Sequence, residues 1–276
     1  MKKLLLPILL FAAYTGFSQP LCCSKSPVQG MRAMADDPAF IAAHEAPLPF
    51  NYTAQAGKMI SFSTPDGKKG WAYEVMASKP TKNYLIVTHE WWGLNDYIKQ
   101  RADELQKTLG NVNIIAIDMY DGKVAASPDS AGKYMRSATN DRVMSIIKGA
   151  ITYAGGDARI FSLGWCFGGG YALQIAIAAG KQGAGCVMYY GMPETDMSKL
   201  QTLNCDVLGL FANMDKWINP DVVKTFQGNM EKAGKKLIVK SYTADHAFAN
   251  PSNPKYDKVS AEDANKTAIA FIKDRL

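Results

Sequence analysis

An apolar run, Arg159-Ile160-Phe161-Ser162-Leu163, passes directly into Gly164-Trp165-Cys166-Phe167-Gly168-Gly169-Gly170, and a helical pattern follows over 171–179. A strand that turns at once into a helix needs glycines, because only glycine lets the neighbouring backbone pass so close without a clash. The bend pushes Cys166 out at its apex. The helix then aims its N-terminus at the sulfur, where free N–H groups and the positive dipole end favour a thiolate and later an oxyanion. The same heptapeptide also suits a packed cysteine in a glycine-rich turn, and by itself it does not choose between the two. It is not a phosphate loop. No Lys-Ser or Lys-Thr pair closes the turn, and the glycines miss the dinucleotide-binding spacing.

The rest of the chain repeats this strand-then-helix alternation. Apolar runs fall at 59–62, 71–77, 84–88, 113–117, 159–163, 186–190, 207–211 and 237–242, with helical patterns at 97–109, 141–153, 171–179, 220–233 and 261–272. Such alternation predicts an α/β fold with a mostly parallel sheet of eight strands and helices on both faces. The first two strands, joined by Thr64-Pro65-Asp66-Gly67, read as an antiparallel hairpin at the sheet edge.

At 276 residues and 47% hydrophobic, the chain suits one catalytic domain, expected over residues 58–276. Met1-Lys2-Lys3 and the apolar stretch from Leu4 to Ala13 have the form of a secretory signal over residues 1–18, too short to span a bilayer. The chain is therefore expected to be exported, periplasmic or secreted, with no stable membrane anchor, since Leu21 before Cys22 does not suit lipid attachment. Residues 19–57 read as a loosely packed leader with a short helix near Asp37 to His44. A net charge of +6, two lower without Lys2 and Lys3, is too mild and too scattered for nucleic acid. Of five cysteines, Cys22 and Cys23 sit in the leader. Cys186 and Cys205 are either a cross-strand disulfide or ordinary core thiols. No cysteine pair has zinc-finger spacing and the three histidines are spread along the chain, so neither a metal nor a cofactor is expected.

Chemistry in a parallel sheet collects at the carboxyl ends of the strands. Asp215 follows the 207–211 run, His246 follows 237–242, and Glu90 closes 84–88 ahead of Trp91-Trp92-Gly93. Each alone has a bland role: a turn aspartate, a loop histidine, a capping glutamate. Jointly, in the order Cys166, Asp215, His246, they match what acyl transfer needs: a nucleophile, a carboxylate that fixes a tautomer, and an imidazole that carries the proton. His89 reads as a structural strand-end residue, and His44 lies in the leader, away from any strand end.

These segments together resemble the dienelactone hydrolase family of the α/β-hydrolase fold. The matching pieces are Gly164-Trp165-Cys166-Phe167-Gly168-Gly169, His89-Glu90-Trp91-Trp92-Gly93, Ala116-Ile117-Asp118-Met119-Tyr120, Tyr189-Tyr190-Gly191, Asp215, and Ala244-Asp245-His246-Ala247-Phe248. The resemblance implies Cys166 as nucleophile, His246 as base and acid, Asp215 as its carboxylate, and Glu90 in contact with the resting thiol. It also implies an oxyanion hole from the Phe167 and Trp91 backbone N–H groups, and a substrate pocket containing Trp92, Tyr120 and Asn250. Asn250 stands where the family carries a carboxylate-binding arginine, which argues against dienelactone itself; Arg136 and Arg142 lie in the region that would supply a second one. The expected partner is a small ester or lactone, opened through an acyl-cysteine. The same residues also fit a catalytically silent binding protein on the hydrolase fold, or a thiol acyltransferase or peptidase.

Overall fold

The computed structural model describes residues 27–53 and 55–276. The expected signal, 1–18, and Cys22 and Cys23 lie outside the described residues. The strands are β1 (Lys58–Ser63), β2 (Lys69–Val75), β3 (Asn83–Thr88), β4 (Asn113–Ile117), β5 (Arg159–Trp165), β6 (Gly183–Tyr189), β7 (Val207–Ala212) and β8 (Leu237–Tyr242). The helices are α1 (Pro27–Ala33), α2 (Pro38–Ala42), α3 (Asp96–Leu109), α4 (Pro128–Ser137), α5 (Asn140–Ala154), α6 (Phe167–Ala179), α7 (Met197–Gln201), α8 (Pro220–Lys232) and α9 (Lys258–Lys273).

One eight-stranded sheet runs β1-β2-β4-β3-β5-β6-β7-β8, parallel from β4 to β8, with β1 and β2 antiparallel at one edge. This is the α/β-hydrolase fold. The edge hairpin turns at Thr64 to Gly67, where the Gly67 N–H donates to Thr64 O at 3.0 Å and Gly67 takes a φ of +76°. Central strands β4 and β7 are buried at every residue, as a strand covered on both faces must be, whereas edge strand β8 is partly exposed along most of its length. Helices α3 and α9 pack against each other, as do α5 and α6. No helix among the described residues is long and apolar enough to cross a membrane.

Register places the site. Thr88 pairs with Gly164, Trp165 with Tyr189, Tyr189 with Leu210, and Ala212 with Tyr242. The loops leaving β3, β5, β7 and β8 therefore emerge side by side, carrying Glu90, Cys166, Asp215 and His246. At the bend itself Cys166 has φ 53° and ψ −119°, a conformation that costs a non-glycine residue of order 1–3 kcal/mol. Gly168 makes the bend possible: a Cβ there would stand 2.4 Å from His89 O and 2.5 Å from Thr88 O. The Thr88 hydroxyl clamps the turn by bonding to Gly168 O at 2.8 Å.

Two short elements escape the sequence pattern. Helix α4 is opened by Ser127, whose hydroxyl accepts the Ser130 N–H, with Pro128 in the first turn; α7 is only five residues, capped by Asp196. The larger difference is the leader. Residues expected to pack loosely bury Met31, Ala35, Phe40 and His44, and α1 lies against α6 and α4. Asp37 ties the segment down twice, accepting the Ala39 N–H at 2.8 Å and the Trp217 indole N–H at 3.0 Å. Cys186 and Cys205 are free thiols, so the disulfide alternative does not hold.

Candidate active site

Cys166 Sγ lies 3.3 Å from His246 Nε2, and the other ring nitrogen, Nδ1, donates to Asp215 Oδ2 at 2.5 Å. The Asp215 carboxylate is aimed by its own loop, because Oδ1 accepts the N–H groups of Trp217 at 2.8 Å and Ile218 at 2.9 Å. Asp245 turns away from its neighbouring imidazole and pairs with Lys255 at 3.3 Å. All three members of the array are buried, Cys166 to 1% exposure.

Burial alone depresses the His246 imidazole, but the Asp215 carboxylate and the Cys166 sulfur outweigh it and hold its pKa well above the ordinary value. Asp215 shows the reverse balance: burial raises it, His246 and the two loop N–H groups pull it below the usual carboxylate range. Burial pushes the Cys166 thiol up. His246 and the Phe167 N–H partly offset this, and the Glu90 charge adds to it. Sulfur and imidazole thus act on each other across the 3.3 Å contact, each shifting the other's proton affinity.

Glu90, expected in contact with the resting thiol, acts on it through its charge and spends its hydrogen bonds elsewhere. Its carboxylate accepts the Tyr190 hydroxyl at 3.2 Å and the Asn250 amide. Asn250 thus holds Glu90 and, through its own oxygen, Ser252, which removes it as a free carboxylate binder in the pocket. Burial raises the Glu90 pKa to about 7. A carboxyl group whose pKa rises on folding binds more protons folded than unfolded between about 4.5 and 7, so stability falls as pH climbs through that window. Glu90→Gln is accordingly expected to be about 2 kcal/mol more stable than wild type at pH 8, with the advantage gone at pH 5. Removing that charge also favours the thiolate, so Cys166 should react with iodoacetamide several-fold faster at neutral pH. Denaturant melts at the two pH values and alkylation rates check both. Unchanged alkylation would show that Glu90 does not act on the sulfur.

Tyr120 and Trp92 are buried in place beside the site. Tyr120 packs on Phe167 and on His89, and its hydroxyl has no partner; Trp92 meets Trp91 edge-on with ring centroids 5.0 Å apart. His89 is structural: its Nε2 accepts the Met119 N–H at 3.0 Å and its Nδ1 donates to Glu90 O at 2.5 Å. Arg142 is consumed by Asp66 and Asp121, and Arg136 by Asp36 and Ala35 O, so neither arginine serves the pocket.

Sequence reasoning missed two residues. Arg101, on α3, lines a cavity of about 300 Å³ together with Glu90, Glu104, Trp165, Asn250 and Tyr256. Cys166 does not line it. His44 is the second: it sits 3% exposed just past α2, with ring centroids 4.9 Å from Trp91 and 5.4 Å from His246. The expectation that the histidines form no cluster fails, because donor atoms of His44, Cys166 and His246 lie within 4.8 Å of one another. The available signal was the Asp37-Pro38 helix start, which places Phe40 in α2 and His44 two residues past its end.

A strand-to-helix bend with a cysteine at its apex, served by a histidine and an aspartate from later loops, is the layout of an α/β-hydrolase. The chain belongs to the dienelactone hydrolase family, a hydrolase family whose model matches residues 71–276. It is 30% identical over 233 residues to protein usf of Aquifex pyrophilus, covering 80% of this chain and 99% of that one. Solved structures of the same fold include a dienelactone hydrolase-like promiscuous phosphotriesterase from metagenomic libraries (TM-score 0.68, 20% identity) and a dienelactone hydrolase from Anabaena variabilis (TM-score 0.60, 16% identity). Each aligns over 80% of this chain and 99% of its own.

Proposed function

We propose that the protein hydrolyses small esters or lactones through an acyl-cysteine intermediate on Cys166. The observation that carries this reading is the continuous chain of contacts from sulfur to imidazole to carboxylate, 3.3 Å and 2.5 Å long. Substrate arrival lets His246 Nε2 take the thiol proton as Sγ bonds to the acyl carbon. The carbonyl oxygen becomes an oxyanion that the backbone N–H groups of Phe167 and Trp91 receive. Collapse breaks the acyl C–O bond, and the imidazolium returns its proton to the departing alcohol. Water then attacks the thioester with His246 as base, releasing the acid and restoring the thiol.

The cavity beside the site bears on substrate charge. Its one arginine, Arg101, is already bonded to Glu104 at 3.2 Å and Asn265 at 2.8 Å, and Glu90 and Glu104 both face the same space. A substrate carboxylate would meet two acids and one committed cation, so the reading favours neutral, flat acyl groups. On matched aryl esters and lactones, the neutral member is expected to show a kcat/KM at least about 10-fold above its carboxylate-bearing partner. A preference for the carboxylate would overturn this choice of substrate. Hydrolysis that survives in Cys166→Ala would overturn the chemistry.

A further inference from the structure

We propose that His44, Cys166 and His246 form a binding site for a borderline-soft divalent transition metal of the Zn²⁺ and Co²⁺ class. The key group is His44. Its Nδ1 lies 2.7 Å from Phe40 O, and a carbonyl can only accept, so Nδ1 carries the ring proton and Nε2 presents its lone pair. That Nε2 is buried and has no hydrogen-bond partner.

His246 is oriented in the same way. Its Nδ1 is committed to Asp215, which leaves Nε2 facing the sulfur at 3.3 Å. Two imidazole nitrogens and one sulfur thus converge, all within 4.8 Å of each other. Tetrahedral coordination with Zn–S of about 2.3 Å and Zn–N of about 2.0 Å sets ligand atoms about 3.3–3.6 Å apart. The sulfur–His246 pair already meets that spacing, and a shift of up to about 1.5 Å brings His44 in.

The donor types choose the metal. Thiolate with two imidazoles suits Zn²⁺ or Co²⁺, whereas Mg²⁺ and Ca²⁺ want oxygen. Asp215 behind His246 supplies the carboxylate that commonly orients a ligating histidine and raises its basicity. On binding, the metal–sulfur bond replaces the S–H bond and one proton leaves to solvent. The sulfur is then occupied, so the metal acts as a reversible block on whatever chemistry Cys166 performs. The inference stands on the geometry of the cluster and does not depend on acyl transfer.

Titration of the full-length, EDTA-treated protein with Co²⁺ tests it. One equivalent is expected to bind with a near-ultraviolet thiolate-to-cobalt charge-transfer band and tetrahedral visible bands. Cys166→Ser should lose the charge-transfer band, and His44→Ala should weaken binding by about 100-fold or more; circular dichroism verifies that both variants are folded. His44→Gln, which keeps the side-chain bulk, should weaken binding in the same direction. The proposal is overturned by absence of the band in wild type, by a band that survives Cys166→Ser and so comes from another cysteine, or by a His44→Gln titration that superimposes on wild type. A protein inactive on every ester that still gives the band, lost in Cys166→Ser, supports the proposal and removes only the hydrolase reading.

Discussion

Cys166→Ala is expected to lower kcat/KM for a small aryl ester by about 10⁴-fold or more, with the melting temperature changed by no more than ~3 °C. The sulfur is the one nucleophile that His246 Nε2 addresses, at 3.3 Å. Without it, only the backbone donors at the start of α6 and the binding surface remain, and these give weak catalysis over water. Stability should hold because alanine keeps the Cβ and faces the same positive-φ backbone that cysteine does. Cys166→Ser is the more informative partner. It retains an oxygen in nearly the same place, yet a hydroxyl in this buried site is far harder to deprotonate than a thiol, so a loss of about 10³-fold is expected. A serine variant as active as wild type would mean that thiolate character contributes nothing.

Asp215→Asn is expected to cost about 10³-fold in kcat/KM while the loop keeps its shape. Asparagine preserves one oxygen to accept the Trp217 and Ile218 N–H groups, which at present bond to Asp215 Oδ1 at 2.8 and 2.9 Å. The other arm becomes an amide N–H₂, a donor. Facing it, His246 Nδ1 must accept, so the ring proton moves to Nε2 and points at the sulfur. An imidazole in that tautomer cannot take the thiol proton. Loss of the carboxylate also removes the charge that holds the His246 pKa up, and burial then depresses it, so the acidic limb of the pH profile should move to lower pH. Kinetics across pH, with iodoacetamide alkylation of the thiol as a second readout, check both. A variant within about tenfold of wild type would leave Asp215 only a turn-forming part.

The fold was readable because strands and helices here differ in period and are punctuated by glycine, proline and capping side chains. All eight runs became strands, with ends moved by one or two residues in most cases. Placement of Cys166, Asp215 and His246 followed from parallel-sheet geometry, since each sits just past a strand end and the register brings those ends together. What stayed hidden depends on tertiary contacts. His44 stands 47 residues before Trp91 and 202 before His246, the residues it packs against, and only the burial of Phe40 against Trp91 and Trp217 draws it in. Arg101 has the spacing of an exposed helical residue, and its cavity exists only because the loop after β8 folds over α3. Asn250 and Glu90 each had a plausible separate task, and the structure gives them a shared hydrogen bond instead.

The central claim is that sulfur, and no other group, carries the acyl chain between ester and water. Rapid quenching of a slowly deacylating aryl ester with wild-type protein, followed by peptide mass spectrometry, tests it most directly. The acyl mass should appear on the peptide containing Cys166, build up before steady state and disappear on continued incubation. An acyl group on another residue, or turnover with that peptide unmodified at every time point, would contradict the account.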